Sequence, residues 1–144
     1  MRPTMAYSLL TKQYLFLVMH TKDNPTDEEW TQYLDFTKKN LQNLKRNLIL
    51  TEGGGPSTMQ RGQLNDLLEA QGFKAKISVV TLSRLVRGIV TALSWFNPNI
   101  KAFSTIQIPA ALDYLEVPKA EHDLVLKEIK ALRMKLQLPL DPAT

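Results

Sequence analysis

Residues 51–61, Thr-Glu-Gly-Gly-Gly-Pro-Ser-Thr-Met-Gln-Arg, combine the residue types and spacing best suited to chemistry in this chain. They follow an apolar run, Asn47-Leu48-Ile49-Leu50, and precede a helical repeat, Leu64, Leu67, Leu68. Glycines at a strand-to-helix turn let backbone N–H groups approach a bound anion closely. The helix start adds the positive end of its dipole. Ser57 as N-cap with Gln60 at the third helical position has the pattern of a capping box. Gly53, Gly54, Gly55 and Arg61 are therefore candidate anion or partner contacts, and Ser57 and Thr58 are candidate hydroxyls for modification. The run is not a P-loop, because no lysine precedes Ser57 or Thr58, and the glycines lack dinucleotide-binding spacing.

Two further arginines, Arg84 and Arg87, fall in the first turn of a helix that Ser83 can cap. Cations there oppose the dipole by a few tenths of a kcal/mol. With Arg61 they would suit an acidic or phosphorylated partner, or be solvated surface. His20 ends an apolar strand and His122 lies on the last helix in line with Val125, so both read first as structural. Their separation gives no Ser/His/Asp triad and no HExxH zinc pattern. Asp23, Asp27, Glu28 and Glu29 read as acids that complement a helix N-terminus. No metal and no cofactor is expected, and the chain reads as non-enzymatic.

The elements that must position these residues follow from periodicity. Apolar runs at 6–11 and 14–21, separated by Lys12-Gln13, predict a hairpin. Thr26 with Glu29 predicts a capped helix whose inner face carries Trp30, Tyr33, Leu34, Thr37, Leu41 and Leu44. A strand at 47–51, a helix over 58–71 ending at Gly72, and a strand at 77–81 come next. A helix follows over 84–96, then a short strand at 101–106. A short helix opened by Pro109 and a last helix over 119–136 complete the pattern, and the tail from Leu138 should be loose. Alternating strands and helices imply an α/β domain, with a mostly parallel sheet of four to five strands and an antiparallel N-terminal strand. Loops 21–26, 51–57, 81–83 and 106–109 then share the carboxyl edge of the sheet, where ligands of open α/β sheets bind. Leu17, Trp30, Ile49, Val79, Ile89 and Phe103 are the expected core. The helix over 84–96 is apolar over more than half its circumference (Leu85, Val86, Ile89, Val90, Ala92, Leu93). Either neighbouring helices cover its flanks or part of it is a partner surface.

The chain has 144 residues, 44% hydrophobic and 22% charged, which fits one soluble domain. It has no cysteine, which excludes disulfides, thiolate nucleophiles and cysteine zinc sites and fits a reducing, cytoplasmic setting. No apolar run approaches the ~20 residues that span a bilayer, and no signal peptide is read at the N-terminus. The net charge of +4 is spread along the chain, so it reads as solvated surface and not as a nucleic-acid footprint.

Three segments together resemble the second half of a STAS domain: Val79-Val80-Thr81-Leu82-Ser83-Arg84-Leu85-Val86-Arg87, then Phe96 to Phe103, then Ile108-Pro109-Ala110-Ala111-Leu112-Asp113-Tyr114-Leu115. The resemblance spans about residues 10–116, with the helix over 119–136 as an addition within a single domain, 1–144. It implies a right-handed βα superhelix led by an antiparallel strand, and a docking or switching role without catalysis. In anti-sigma-factor antagonists of that family, a Ser or Thr at the start of the second helix is phosphorylated. Ser57 and Thr58 correspond by position, although Gly-Gly-Gly-Pro-Ser-Thr replaces the usual Asp-Ser-Ser-Gly.

The expected function is therefore docking of a regulatory protein partner through the carboxyl edge, with phosphorylation as the switch. A homodimer is left open. One alternative is a phosphate, nucleotide or lipid headgroup bound at Gly53–Thr58. Another is an enzyme using His20 or Asp23.

Overall fold

The near-continuous apolar run at 15–20 forms the second of five strands, fully buried, with helices on both of its faces. The computed structural model describes residues 2–94 and 98–140. Strands β1 (Met5–Leu10) and β2 (Leu15–His20) pair antiparallel around a 3-10 turn, Thr11–Gln13. Strands β3 (Arg46–Thr51), β4 (Lys76–Thr81) and β5 (Ile100–Phe103) continue the sheet in parallel, in the order β1-β2-β3-β4-β5. The helices are α1 (Asp27–Lys39), α2 (Thr58–Ala70), α3 (Arg84–Ser94), α4 (Ile108–Tyr114) and α5 (His122–Lys135). This is the expected α/β architecture, a parallel sheet led by one antiparallel strand.

The period-2 alternation of β2 divides the core in two. Leu15, Leu17 and Met19 face one way, with Leu48 and Leu50, and are covered by Leu112 of α4 and by Val125, Ile129 and Leu132 of α5. Phe16 and Val18 face the other way, against Trp30 and Tyr33 of α1. On that second side Tyr33 stacks on Phe16 at 5.9 Å and on Trp30 at 4.8 Å between ring centroids. Both capping boxes expected from sequence form: Glu29 N–H donates to Thr26 at 3.1 Å, and Gln60 N–H donates to Ser57 at 3.2 Å.

Several expectations need correction. The strand expected over 101–106 ends at Phe103, because Ser104 and Gln107 form a capping box that starts a 3-10 turn. The last helix is preceded by a separate 3-10 turn, Lys119–Glu121. The tail expected to be loose is held as far as Pro139. Arg133 Nε donates to the Pro139 carbonyl, and Leu138 packs on the core. Ile89 is not core: it is 50% exposed, while Leu17, Trp30, Val79 and Phe103 are buried and Ile49 is half-buried. Helix α3 turns Val90 to the sheet, which leaves Leu85, Ile89 and Leu93 outward. Trp95 and Phe96 lie outside the described residues.

Candidate functional site

Among the described residues the second face of the sheet is incompletely covered, and the reason lies in α2 and α3. Helix α2 carries few apolar residues and fully buries just Gln60, and α3 fully buries just Val90. Between them lies a groove of about 510 Å³. Its floor is Val18, Ile49 and Val79, neighbours in register on β2, β3 and β4. Leu64 of α2 forms one wall, and Leu85, Ile89 and Leu93 of α3 form the other. Trp30 and Tyr33 of α1 close the back. A smaller cavity of about 60 Å³ adjoins it and shares Tyr33, Ile49 and Leu64.

The end of the groove at the carboxyl edge is polar. His20, Thr51, Lys22, Asn24, Arg61 and the loop Gly53–Pro56 meet there. This end carries two cations, and no carboxylate lines the groove among the described residues. His20 is 4% exposed, and its Nδ1 has no hydrogen-bond partner among the described residues. Burial disfavours the charged imidazole and pushes its pKa down to about 4, against an opposing pull from Glu29. Burial thus favours the neutral ring, with Nδ1 sealed from solvent and without a partner among the described residues.

The glycine loop is built against the loop that follows β2. Gly54 N–H donates to the Thr21 carbonyl at 2.9 Å, and Asn24 Nδ2 donates to the Gly55 carbonyl at 2.8 Å. A Cβ on Gly54 would stand 2.5–2.6 Å from backbone atoms of Thr21, Lys22 and Asp23, so no side chain fits. Gly53 and Gly55 take φ of +129° and +156°, a region that L residues rarely adopt. Thr51 Oγ1 accepts from Gly53 N–H at 2.9 Å and donates to the Gly54 carbonyl at 2.6 Å. The loop's amides are thus largely used within the protein, and the Gly55 N–H remains without a partner among the described residues.

Ser57 Oγ is occupied as the cap of α2, and Thr58 Oγ1 accepts from Arg61 Nη2 at 3.1 Å. Arg84 and Arg87 begin α3 at the same sheet edge but do not line the groove. Asp23 lies in the exposed loop after β2 and does not line the groove. His122 sits apart, bonded through Nε2 to the Val117 carbonyl at 3.0 Å. Sequence reasoning missed Lys22, Asn24, Thr51 and Tyr33 as groove residues. The over-wide apolar surface of α3 was the signal that pointed to the wall. No group of three His, Asp or Glu side chains that could hold a metal occurs among the described residues.

The arrangement of β1–β5 with its helices also occurs in a solved structure. A protein of the DUF3478 family from Shewanella loihica PV-4, described as uncharacterised and as having a SpoIIAA-like fold, superposes with a TM-score of 0.59. It is 20% identical, over 80% of this chain and 95% of that one. The fold is SpoIIAA-like. The STAS-like architecture implied by the sequence resemblance is therefore present. No family model and no curated protein matches the chain. At this identity the SpoIIAA-like fold fixes architecture and says nothing of a ligand.

Proposed function

We propose that this protein is a non-catalytic binding domain for an amphipathic small molecule held in the groove between α2 and α3. The groove carries the proposal: about 510 Å³, with an apolar floor and walls and one polar end. Small-molecule sites typically span about 300–1,000 Å³ and have mainly apolar linings with a few oriented polar groups. The apolar body of the ligand lies on Val18, Ile49 and Val79, between Leu64 and Ile89. The head is a carboxylate or phosphate, because Lys22 and Arg61 stand at the polar end without a lining carboxylate. The His20 ring edge that lines the groove and the Gly55 N–H supply neutral hydrogen bonds there. The rival enzyme reading finds little support. Thr51, its neighbour on β3, donates its hydroxyl to the Gly54 carbonyl, no carboxylate lines the groove among the described residues, and a pKa near 4 makes His20 a poor base at neutral pH.

A fluorescent long-chain fatty acid tests the reading. It should bind the full chain and be displaced by unlabelled fatty acid or lysophospholipid. Ile49→Phe, which fills the floor, should weaken binding at least about tenfold, the value of ~1.4 kcal/mol. Unchanged affinity in that folded variant would remove the groove as the site.

Docking of a regulatory protein at the carboxyl edge, with Ser57 or Thr58 phosphorylated, is the second reading. The observation that favours it is the exposure of Thr58 beside Arg61, whose guanidinium already reaches the hydroxyl.

A further inference from the structure

Four large apolar side chains stand in solvent along one edge of the sheet. Met59 is 76% exposed, Leu82 54%, Leu85 75% and Ile106 78%. Isolated exposed apolar residues are ordinary on a protein surface. These four are not scattered. Met59 is in the first turn of α2, Leu82 and Leu85 flank the start of α3, and Ile106 is in the turn before α4. Strands β3, β4 and β5 are adjacent and parallel, so the connections that follow them emerge side by side at the carboxyl edge.

The charges of this rim are one-sided. The first turns of α2, α3 and α4, and the 3-10 turn before α4, contain no acidic residue. Helix starts ordinarily favour acids, and here α3 starts with Arg84 and Arg87. Neither these arginines nor Arg61 forms an ion pair among the described residues. Arg87 Nε is buried without a hydrogen-bond partner. Two acids of the same edge are engaged. Glu52 is paired to Arg133 at 2.7 Å, and Glu29 accepts from Thr4 and Thr26. Asp23, Asp27 and Glu28 stand at the same carboxyl edge but after β2, so β3 with its glycine loop separates them from the starts of α3 and α4.

We propose that this rim docks the protein on an anionic lipid surface, with Met59, Leu82, Leu85 and Ile106 entering the headgroup layer. Exposed apolar side chains interleaved with unpaired cations are the chemistry that interfacial binding uses. A folded protein partner would need a shaped and complementary face, whereas a bilayer accepts side chains projecting from separate loops. The protein lies on the surface and spans nothing, since no helix among the described residues is long and apolar enough to cross a membrane. The groove's polar end opens at the same edge, so a docked molecule would present it to the lipid. The docking proposal does not depend on the groove's being filled.

Co-sedimentation of the full chain with vesicles tests it. Vesicles of phosphatidylcholine with phosphatidylserine should bind the protein, and binding should fall steeply as salt rises. Phosphatidylcholine alone should bind at least about tenfold more weakly, because each cation near an anionic surface is worth roughly fivefold. L85S with I106S, both exposed positions, should lose binding to the anionic vesicles with the circular-dichroism spectrum unchanged. R84E with R87E should weaken it at least about twentyfold. Ile49→Phe should keep vesicle binding, so failure of the groove reading and failure of this one are separable. Equal binding to both vesicle types, no binding to anionic vesicles at low salt, or full binding by the folded L85S/I106S variant would each overturn the proposal. So would capture of a soluble protein through this rim with no vesicle binding.

Discussion

The Trp30 indole N–H donates to the backbone carbonyl of Gln60 at 3.1 Å, joining α1 to the first turn of α2 in a buried contact. Gln60 itself bonds through Nε2 to the Pro25 carbonyl at 2.9 Å and through Oε1 to Ser57 N–H at 2.9 Å. One glutamine thus ties the loop after β2, the glycine loop and α2 together. This brace fixes the start of α2, whose Leu64 walls the groove, against α1.

Removing the donor while keeping an aromatic ring should expose the strength of that brace. Trp30→Phe removes the second bond to the Gln60 carbonyl, which keeps its bond within α2, and should cost about 0.5–1.5 kcal/mol. Urea denaturation should show a loss in that range. A loss below ~0.5 kcal/mol would mean that α2 is held by other contacts.

Gly54→Ala should be poorly tolerated, since its Cβ meets backbone and not a flexible side chain. The loop must move off the β2–α1 turn and lose the Gly54–Thr21 bond. We expect a loss of at least about 1 kcal/mol, together with chemical-shift changes at Thr21 and Asn24. Gly62→Ala, with open space around its Cβ and within α2, should be neutral or stabilising by up to about 1 kcal/mol.

Two apolar truncations should now differ sharply. Leu17→Ala opens a cavity in a fully buried site and should cost ~2–5 kcal/mol. Ile89→Ala removes a half-exposed side chain and should cost less than ~1 kcal/mol, but it should weaken ligand binding in the groove. Equal losses of stability at both would mean that α3 packs inward after all.

The strands and the caps were legible in the chain because their signals are local. The run at 15–20 has no polar break, and Thr26/Glu29 and Ser57/Gln60 lie three residues apart. The facing of α3 was not legible. Its apolar residues surround the helix, and periodicity cannot tell which stripe the sheet takes. The groove was not legible either, because it arises where α2 and α3, distant in sequence, leave space between them. The sequence offers the glycine loop either as a tight turn or as a set of N–H groups that can approach an anion. Which amides Thr51 and Thr21 would occupy depended on the register of β2 against β3, which the sequence does not print. β5 is shorter than its apolar pattern predicts, because Ser104 and Gln107 form a cap that ends it.

The depressed His20 pKa gives a signed dependence on acid. The folded state holds the ring neutral down to about pH 4, while the unfolded chain protonates it near 6.5. Its contribution is therefore present above pH ~6.5 and is lost as pH falls toward 4. Between pH 7 and pH 5 the loss should approach about 2 kcal/mol. Glu29, whose hydrogen bonds from Thr26 and Thr4 outweigh its burial and lower its pKa, adds a loss of the same sign at more acid pH. His20→Gln should flatten the stability profile between pH 7 and 5. A slope in the variant equal to that of the wild type would show that His20 titrates normally.

The groove between α2 and α3 is the central claim, and amide chemical-shift mapping during titration with a long-chain fatty acid tests it most directly. Saturable shifts should cluster at His20, Ile49, Thr51, Gly54, Gly55, Leu64, Val79 and Ile89. Shifts confined to the opposite edge of the sheet, around Lys38, Lys45 and Lys74, or no saturable shift at all, would contradict it.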